Sequence, residues 1–173
     1  MMGVIEPEPI SMEQEQAVAA ESEAAPREEE GMPEGTAEAE TGGVVLEGGP
    51  ALTNETLRDW VKRWCSGDRE GLPPISTWNT SQVTDFSKLF MNQKDFNDDI
   101  SAWDTSNATD MSRMFKDALS FNQPLNDWRV DKVTNMDQMF DYATSFNQPL
   151  GAWRVIKVAD MSGMFNGASS FNQ

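Results

Sequence analysis

The sequence predicts an α/β solenoid: a stack of about four 25-residue coils, each with a short strand and a short helix. An N-terminal capping helix and a disordered acidic tail precede the stack. Three observations lead there. Tryptophan recurs at 78, 103, 128 and 153, a spacing of 25 residues. Apolar columns keep step with it, among them Phe90, Phe115, Phe140 and Phe165. Residues 1–50 contrast sharply, with 13 Glu, one Arg and no aromatic residue. A fixed period of roughly 20 to 50 residues marks stacked supersecondary units, none of which buries its own apolar face alone.

The tail comes first. Residues 1–50 carry a net charge of −12, whereas residues 51–173, with 16 acidic and 12 basic side chains, carry only −4. Low hydrophobicity with high net charge cannot offset the entropy of folding, so this stretch reads as disordered. Gly42-Gly43-Val44-Val45-Leu46-Glu47-Gly48-Gly49-Pro50 reads as its linker. Such a tail serves either as a solubilising spacer or as a docking arm for a basic partner. The first residues show neither a basic n-region nor an apolar h-region. No apolar run approaches the ~20 residues of a membrane helix. The expectation is therefore a cytoplasmic chain without membrane insertion.

Residues 51–74 form the cap and its turn. Leu57, Trp60, Val61, Trp64 and Cys65 fall on one face of an α-helix. Thr53 or Asn54 is placed as N-cap, Glu55 suits the positive end of the dipole, and Gly67 is a natural stop. Cys65 lies on the apolar stripe with no basic neighbour to activate it, so it reads as a structural thiol.

The repeats occupy 75–173, as units 75–99, 100–124, 125–149 and 150–173. Ile75, Ile100, Leu125 and Leu150 precede each Trp by three residues. Val83, Ala108, Val133 and Val158 follow it by five. Phe86, Met111, Met136 and Met161 open the next apolar run, followed by Leu89, Met114, Met139 and Met164. Trp128 and Val130 suit one face of a strand. The 3–3–1–3 spacing from Val133 through Met136, Met139 and Phe140 to Ala143 predicts a short helix, with Asp110, Asn135 and Asp160 as N-caps. Pro124 and Pro149 then hold an extended return.

These columns read first as core. Trp78, Trp103, Trp128 and Trp153 are expected inside, the alternative being an exposed ladder for flat ligands. Phe121, Phe146 and Phe171 each precede an Asn. The row Asn97, Asn122, Asn147 and Asn172 reads as an asparagine ladder satisfying backbone groups in successive coils. The column Asp85, Asp110, Asn135, Asp160 serves either as turn caps or, alternatively, as a calcium site.

Composition removes much chemistry. The chain has no His and one Cys, so His-based triads, His metal sites and a disulfide framework are excluded. Its negative charge disfavours nucleic acid, whose phosphates it would repel. No Gly-rich phosphate loop or nucleophile–base pair survives a search. No enzyme activity and no cofactor are expected.

The run Trp103-Asp104-Thr105-Ser106-Asn107-Ala108-Thr109-Asp110-Met111-Ser112-Arg113-Met114-Phe115, continued by Phe121-Asn122-Gln123-Pro124-Leu125, resembles a known pattern. It is similar to the BspA-like leucine-rich-repeat surface proteins, of the 25-residue type found in mycoplasma lipoproteins and in algal and protist proteins. The resemblance covers about residues 54–173. The first repeat departs from the pattern, with Phe86 and Leu89 for the Met pair and Gln93 for the Ala. The resemblance implies a leucine-rich-repeat-like fold, no catalysis, and a role in protein contact, adhesion or surface display.

The functional expectation is a non-catalytic repeat scaffold binding another protein, with a Ca²⁺- or glycan-binding module as the alternative. Positions that vary between fixed neighbours are the expected contacts: Asp104/Arg129/Arg154, Arg113/Gln138/Gly163 and Lys116/Asp141/Asn166. No capping element is expected after the last Phe-Asn-Gln. Three outcomes fit that end: a longer array, end-to-end self-association, or a frayed coil.

Overall fold

The computed structural model describes residues 49–173, so the acidic tail expected over 1–50 lies, up to residue 48, outside the described residues. Helix α1 spans Asn54–Ser66. Thr53 caps it: its hydroxyl accepts from the Thr56 N–H, and the Thr56 hydroxyl accepts from the Thr53 N–H. Gly67 closes it in the left-handed region at φ 87°, where a side chain is costly. Leu57, Val61 and Trp64 form its buried face. A 3-10 turn at Ile75–Thr77 leads into the repeats. Among the described residues no helix is long and apolar enough to cross a membrane.

Successive repeats stack in register. The N–H groups of Phe86, Lys88, Phe90 and Asn92 donate to the carbonyls of Asp110, Ser112, Met114 and Lys116 in the next coil. Coil 2 repeats this from Met111, Arg113, Phe115 and Asp117, and coil 3 from Met136, Gln138, Phe140 and Tyr142. These twelve bonds measure 2.7–3.0 Å. The intervening N–H groups close tight turns within their own coil, as Leu89 does to Phe86 and Met91 to Lys88. Alternate donors thus serve the turn and the neighbour, and the N–H groups of these segments in coils 1 to 3 are paired without a regular element.

The coil itself differs from the strand-plus-helix expectation. Among the described residues the helices are α1 and the 3-10 turn. The strand contracts to one bridging residue per coil, in the parallel series Asp85, Asp110, Asn135, Asp160. The Met-x-x-Met-Phe segment is a succession of turns. The reason is backbone handedness: Lys88 and Asn92 (φ 57° and 64°), Arg113 and Asp117 (56° and 58°), and Gln138 and Tyr142 (51° and 56°) are left-handed. A left-handed residue every fourth position ends a helix before one turn closes and aims the freed N–H at the next coil. The cap residues keep their local bond. Oδ1 of Asp85, Asp110, Asn135 and Asp160 accepts the N–H two residues on at 2.8–3.0 Å, which closes an Asx turn instead of starting a helix.

The core is one continuous cluster beneath these turns. Phe90, Phe115, Phe140 and Phe165 stack face to face with centroids 5.4–5.6 Å apart. Phe96, Phe121, Phe146 and Phe171 stack alongside at 5.7–6.0 Å. Within each coil the two columns meet at 3.9–4.1 Å. Each such aromatic pair adds about 0.5–1.5 kcal/mol beyond its buried area, so the Phe columns fix the register as well as excluding water.

Candidate functional site

Helix α1 sits where a preceding coil would. The Asn54 Oδ1 accepts from the N–H groups of Thr84 and Asp85 at 2.9 and 3.1 Å. Arg58 donates to the Ser87 carbonyl at 2.7 Å and to the Asp85 carbonyl at 3.4 Å, and pairs with the Asp85 carboxylate. The helix therefore offers side-chain substitutes for the backbone groups of a coil. Sequence reasoning named Asn54 only as a possible N-cap and missed Arg58, whose place beside the apolar stripe was the available signal.

Trp78, Trp103 and Trp128 are buried and Trp153 is half-buried, so no exposed ladder for flat ligands forms. Each indole N–H donates one unit back. Trp103 reaches the Ile75 carbonyl, Trp128 that of Ile100 and Trp153 that of Leu125, while Trp78 takes the Pro73 carbonyl. Met111 and Met136 are wholly buried, but Met161 in the last coil is 40% exposed.

The row Asn97, Asn122, Asn147, Asn172 lies at the surface and links coils. Oδ1 of Asn97 accepts the Asn122 N–H at 2.9 Å, and the bond recurs from Asn147 to Asn122 and from Asn172 to Asn147. Gln123, Gln148 and Gln173 add a second strand of contact, each Nε2 donating to the carbonyl and Oδ1 of the Asn one coil back. The Gln after Asn122, Asn147 and Asn172 carried this signal in the sequence.

The three variable columns divide. Asp104, Arg129 and Arg154 are exposed on one strip, beside exposed Lys132 and Lys157. Lys132 donates to the Asn107 Oδ1 at 2.6 Å, and Arg154 lies 3.6 Å from Asp131. The Asp104 carboxyl is held below the usual carboxylate range by the Ser106 hydroxyl and N–H, with Arg129 and Lys132 contributing. The other two columns correct the expectation that they are free contact positions. Lys116 forms an ion pair with Asp141, whose residue is only 3% exposed, and Asn166 donates to the same carboxylate at 2.8 Å. Lys116 also reaches the Gln138 Oε1, and Arg113 pairs with Asp137 at 3.0 Å. Their variation from coil to coil is complementarity between neighbours: a cation in one coil meets an acceptor in the next.

Other features of the described residues are quieter. No group of three or more His, Cys, Asp or Glu gathers there in a metal-binding arrangement. Burial, reinforced by Asp98, pushes the half-buried Cys65 thiol up to about 11, so it is protonated at neutral pH. Asp98 accepts the Trp64 indole N–H at 2.7 Å, and Arg69 lies over that indole at 4.1 Å.

A family model described as "Mycoplasma protein of unknown function, DUF285" matches residues 62–173, which takes in the end of α1 and all four coils. The chain belongs to this family. The DUF285 match thus spans the region in which the 25-residue columns, the Trp clamps and the Asn ladder lie. No curated protein and no solved structure matches the chain.

Proposed function

We propose that the chain is a leucine-rich-repeat-like solenoid of the BspA-like kind, working as a non-catalytic scaffold for protein–protein contact. One observation carries the reading: constant residues face inward and the variable column Asp104, Arg129, Arg154 faces out. Fixed Trp, Met and Phe columns fill the core of coils 2 and 3, while that column stays exposed on a rigid ladder of hydrogen-bonded coils. Stacked repeats recognise partners in this manner, through outward residues free to vary because they carry no part of the core. Asp127 and Asp131 alternate with Arg129 along the third coil, and Arg154 follows in the fourth, so the strip suits a partner surface of mixed charge. Such complementarity sets specificity and encounter rate more than raw affinity.

The test uses the full-length chain and an Arg129→Glu/Arg154→Glu variant as affinity baits. A protein retained by the native chain and lost by the variant, with unchanged circular dichroism, supports the scaffold. Equal retention by both removes this strip from the contact. A calorimetric Ca²⁺ isotherm that Asp110→Ala abolishes replaces the scaffold with a cation-binding reading.

A further inference from the structure

Helix α1 replaces a preceding coil only over its first half. Its Asn54 and Arg58 serve the coil-1 backbone groups at Thr84, Asp85 and Ser87. The next two places in the same row are the carbonyls of Leu89 and Met91, and among the described residues neither has a donor. Their counterparts are Met114 and Lys116, Met139 and Asp141, and Met164 and Asn166. Each of these accepts an N–H from the coil before at 2.7–2.9 Å. Twenty-five residues before the coil-1 donors Phe90 and Asn92 stand Cys65 and Gly67. The Cys65 N–H lies within the α1 ladder, and the Gly67 N–H goes to the Trp64 carbonyl. A helix spends its donors on itself, so the row stays open where no side chain substitutes.

The open pair borders a groove of about 430 Å³ between the second half of α1 and coil 1. Val61, Cys65, Leu89 and Met91 supply its apolar lining, Arg58, Lys62 and Lys88 its charge, and no carboxylate lines it among the described residues. Lys62 and Lys88 are exposed and, among the described residues, join no ion pair. In a body of net charge −4, a groove with cations alone is a local reversal of sign.

We propose that this groove docks an extended, acidic segment of a partner protein, which adds its backbone to coil 1 beside α1. Two N–H groups on one edge of the segment, two residues apart, donate to the Leu89 and Met91 carbonyls, as main chain does when it joins an open edge. Its Asp or Glu side chains meet Lys62 and Lys88, while an apolar side chain between them covers Leu89 and Met91. Charge decides the kind of segment: a basic one sets cation against cation with no lining carboxylate to answer it. The groove shares no residue with the strip of Asp104, Arg129 and Arg154, so the two surfaces stand or fall separately.

The test titrates the full-length chain with the synthetic peptide acetyl-Glu-Val-Glu-Leu-Glu-Val-Glu-amide, followed by calorimetry and by NMR. The expected result is a saturable isotherm, with the carbonyl carbon resonances of Leu89 and Met91 shifting as they gain donors. Lys62→Glu/Lys88→Glu, with circular dichroism unchanged, is expected to weaken binding by ~10-fold or more. A second peptide with Gln for every Glu tests the charge without altering the protein, and a similar loss of ~10-fold or more is expected. Four results overturn the proposal: no saturable binding, equal affinity for the two peptides, equal affinity of the parent and variant chains, or a bound peptide that moves Arg129 and Arg154 in place of Leu89 and Met91. Two rival occupants are read without peptide. Gln in place of Glu28, Glu29, Glu30, Glu38 and Glu40 of the full chain is expected to leave the Leu89 and Met91 resonances where they are. A shift there overturns the proposal in favour of the chain's own acidic residues. A dimer in sedimentation that Lys62→Glu/Lys88→Glu dissolves overturns it in favour of a second copy.

Discussion

Trp103 donates its indole N–H to the carbonyl of Ile75 at 2.8 Å, one coil back and 28 residues earlier in the chain. The same ring stacks on Trp78 with centroids 6.0 Å apart. One side chain is therefore both a core filler and a staple between coils, which explains why the column is Trp where Phe would fill nearly as well.

Replacing Trp103 with Phe keeps an aromatic ring and leaves the Ile75 carbonyl with one donor, the Trp78 N–H at 3.3 Å, so a loss of about 0.5–1.5 kcal/mol is expected. Trp103→Ala, which also leaves a cavity, is expected to cost about 3–5 kcal/mol. Urea unfolding followed by circular dichroism measures both. A Phe variant as stable as the parent would show that the indole donor contributes nothing.

Lys116 and Asp141 make the most enclosed ion pair among the described residues. Asp141→Ala removes the counter-ion of Lys116, whose side chain is 28% exposed and still reaches the Gln138 Oε1, and leaves Asn166 without its acceptor, so the expected cost is about 1–3 kcal/mol. The joint change Lys116→Met/Asp141→Leu removes both charges and is expected to recover most of that loss. A double-mutant cycle with no coupling between the two sites would contradict the pairing.

Tyr142 lies across the next coil at Gly167, where an added Cβ would come within 2.8 Å of the ring. Gly167→Ala is expected to cost about 1–2 kcal/mol from that clash and its φ of +69°. In a Tyr142→Ala background the clash is gone and only the cost of the φ of +69° remains, so Gly167→Ala should cost less there than in the parent. Equal penalties with and without Tyr142 would mean that the ring does not rest there.

Acid should loosen the Asx turns. The carboxyls of Asp104 and Asp160 sit below the usual range because the hydroxyl and N–H of Ser106 and Ser162 bind their charged forms. At Asp85 burial opposes ionisation, but Ser87 and Arg58 outweigh it. A value lowered on folding means that the folded state binds fewer protons. The stabilisation is therefore present above the unfolded value near ~4 and is lost as pH falls through the folded values below it. Unfolding free energy is expected to be flat from pH 7 to about 5 and to fall below about 4. Asp104→Asn/Asp160→Asn should flatten that fall while keeping the turns, since Asn135 already closes one without charge. An unchanged acid slope in the double variant would remove these carboxylates from the effect.

The sequence made the register legible because identical residues 25 apart must stack to be buried. Trp, Met and Phe columns needed no structure to be seen as core, and α1 followed from its apolar stripe between Thr53 and Gly67. The conformation inside each coil was harder. A 3–3–1–3 apolar spacing is shared by about three turns of helix and by linked tight turns with a left-handed residue every fourth place. Lys, Arg, Gln, Asn, Asp and Tyr fill those places in coils 1 to 3, and only coil 4 shows Gly163 and Gly167 there. Two glycines four apart inside a supposed helix were the local warning. The surface was half legible for a related reason. Variation between fixed neighbours marks freedom at Arg129 and Arg154, but marks pairing at Lys116 and Asp141. Only three-dimensional proximity separates the two.

Native-state hydrogen exchange, resolved by residue, tests the stacking most directly. The expected result is that the amides of Met136, Gln138, Phe140 and Tyr142, and of their counterparts in coils 1 and 2, exchange only with global unfolding. Met161, Gly163, Phe165 and Gly167, identically placed in coil 4 but without a neighbour's carbonyl, should exchange rapidly. Equal protection in coils 3 and 4, the pattern of a helix closed within each repeat, would contradict it.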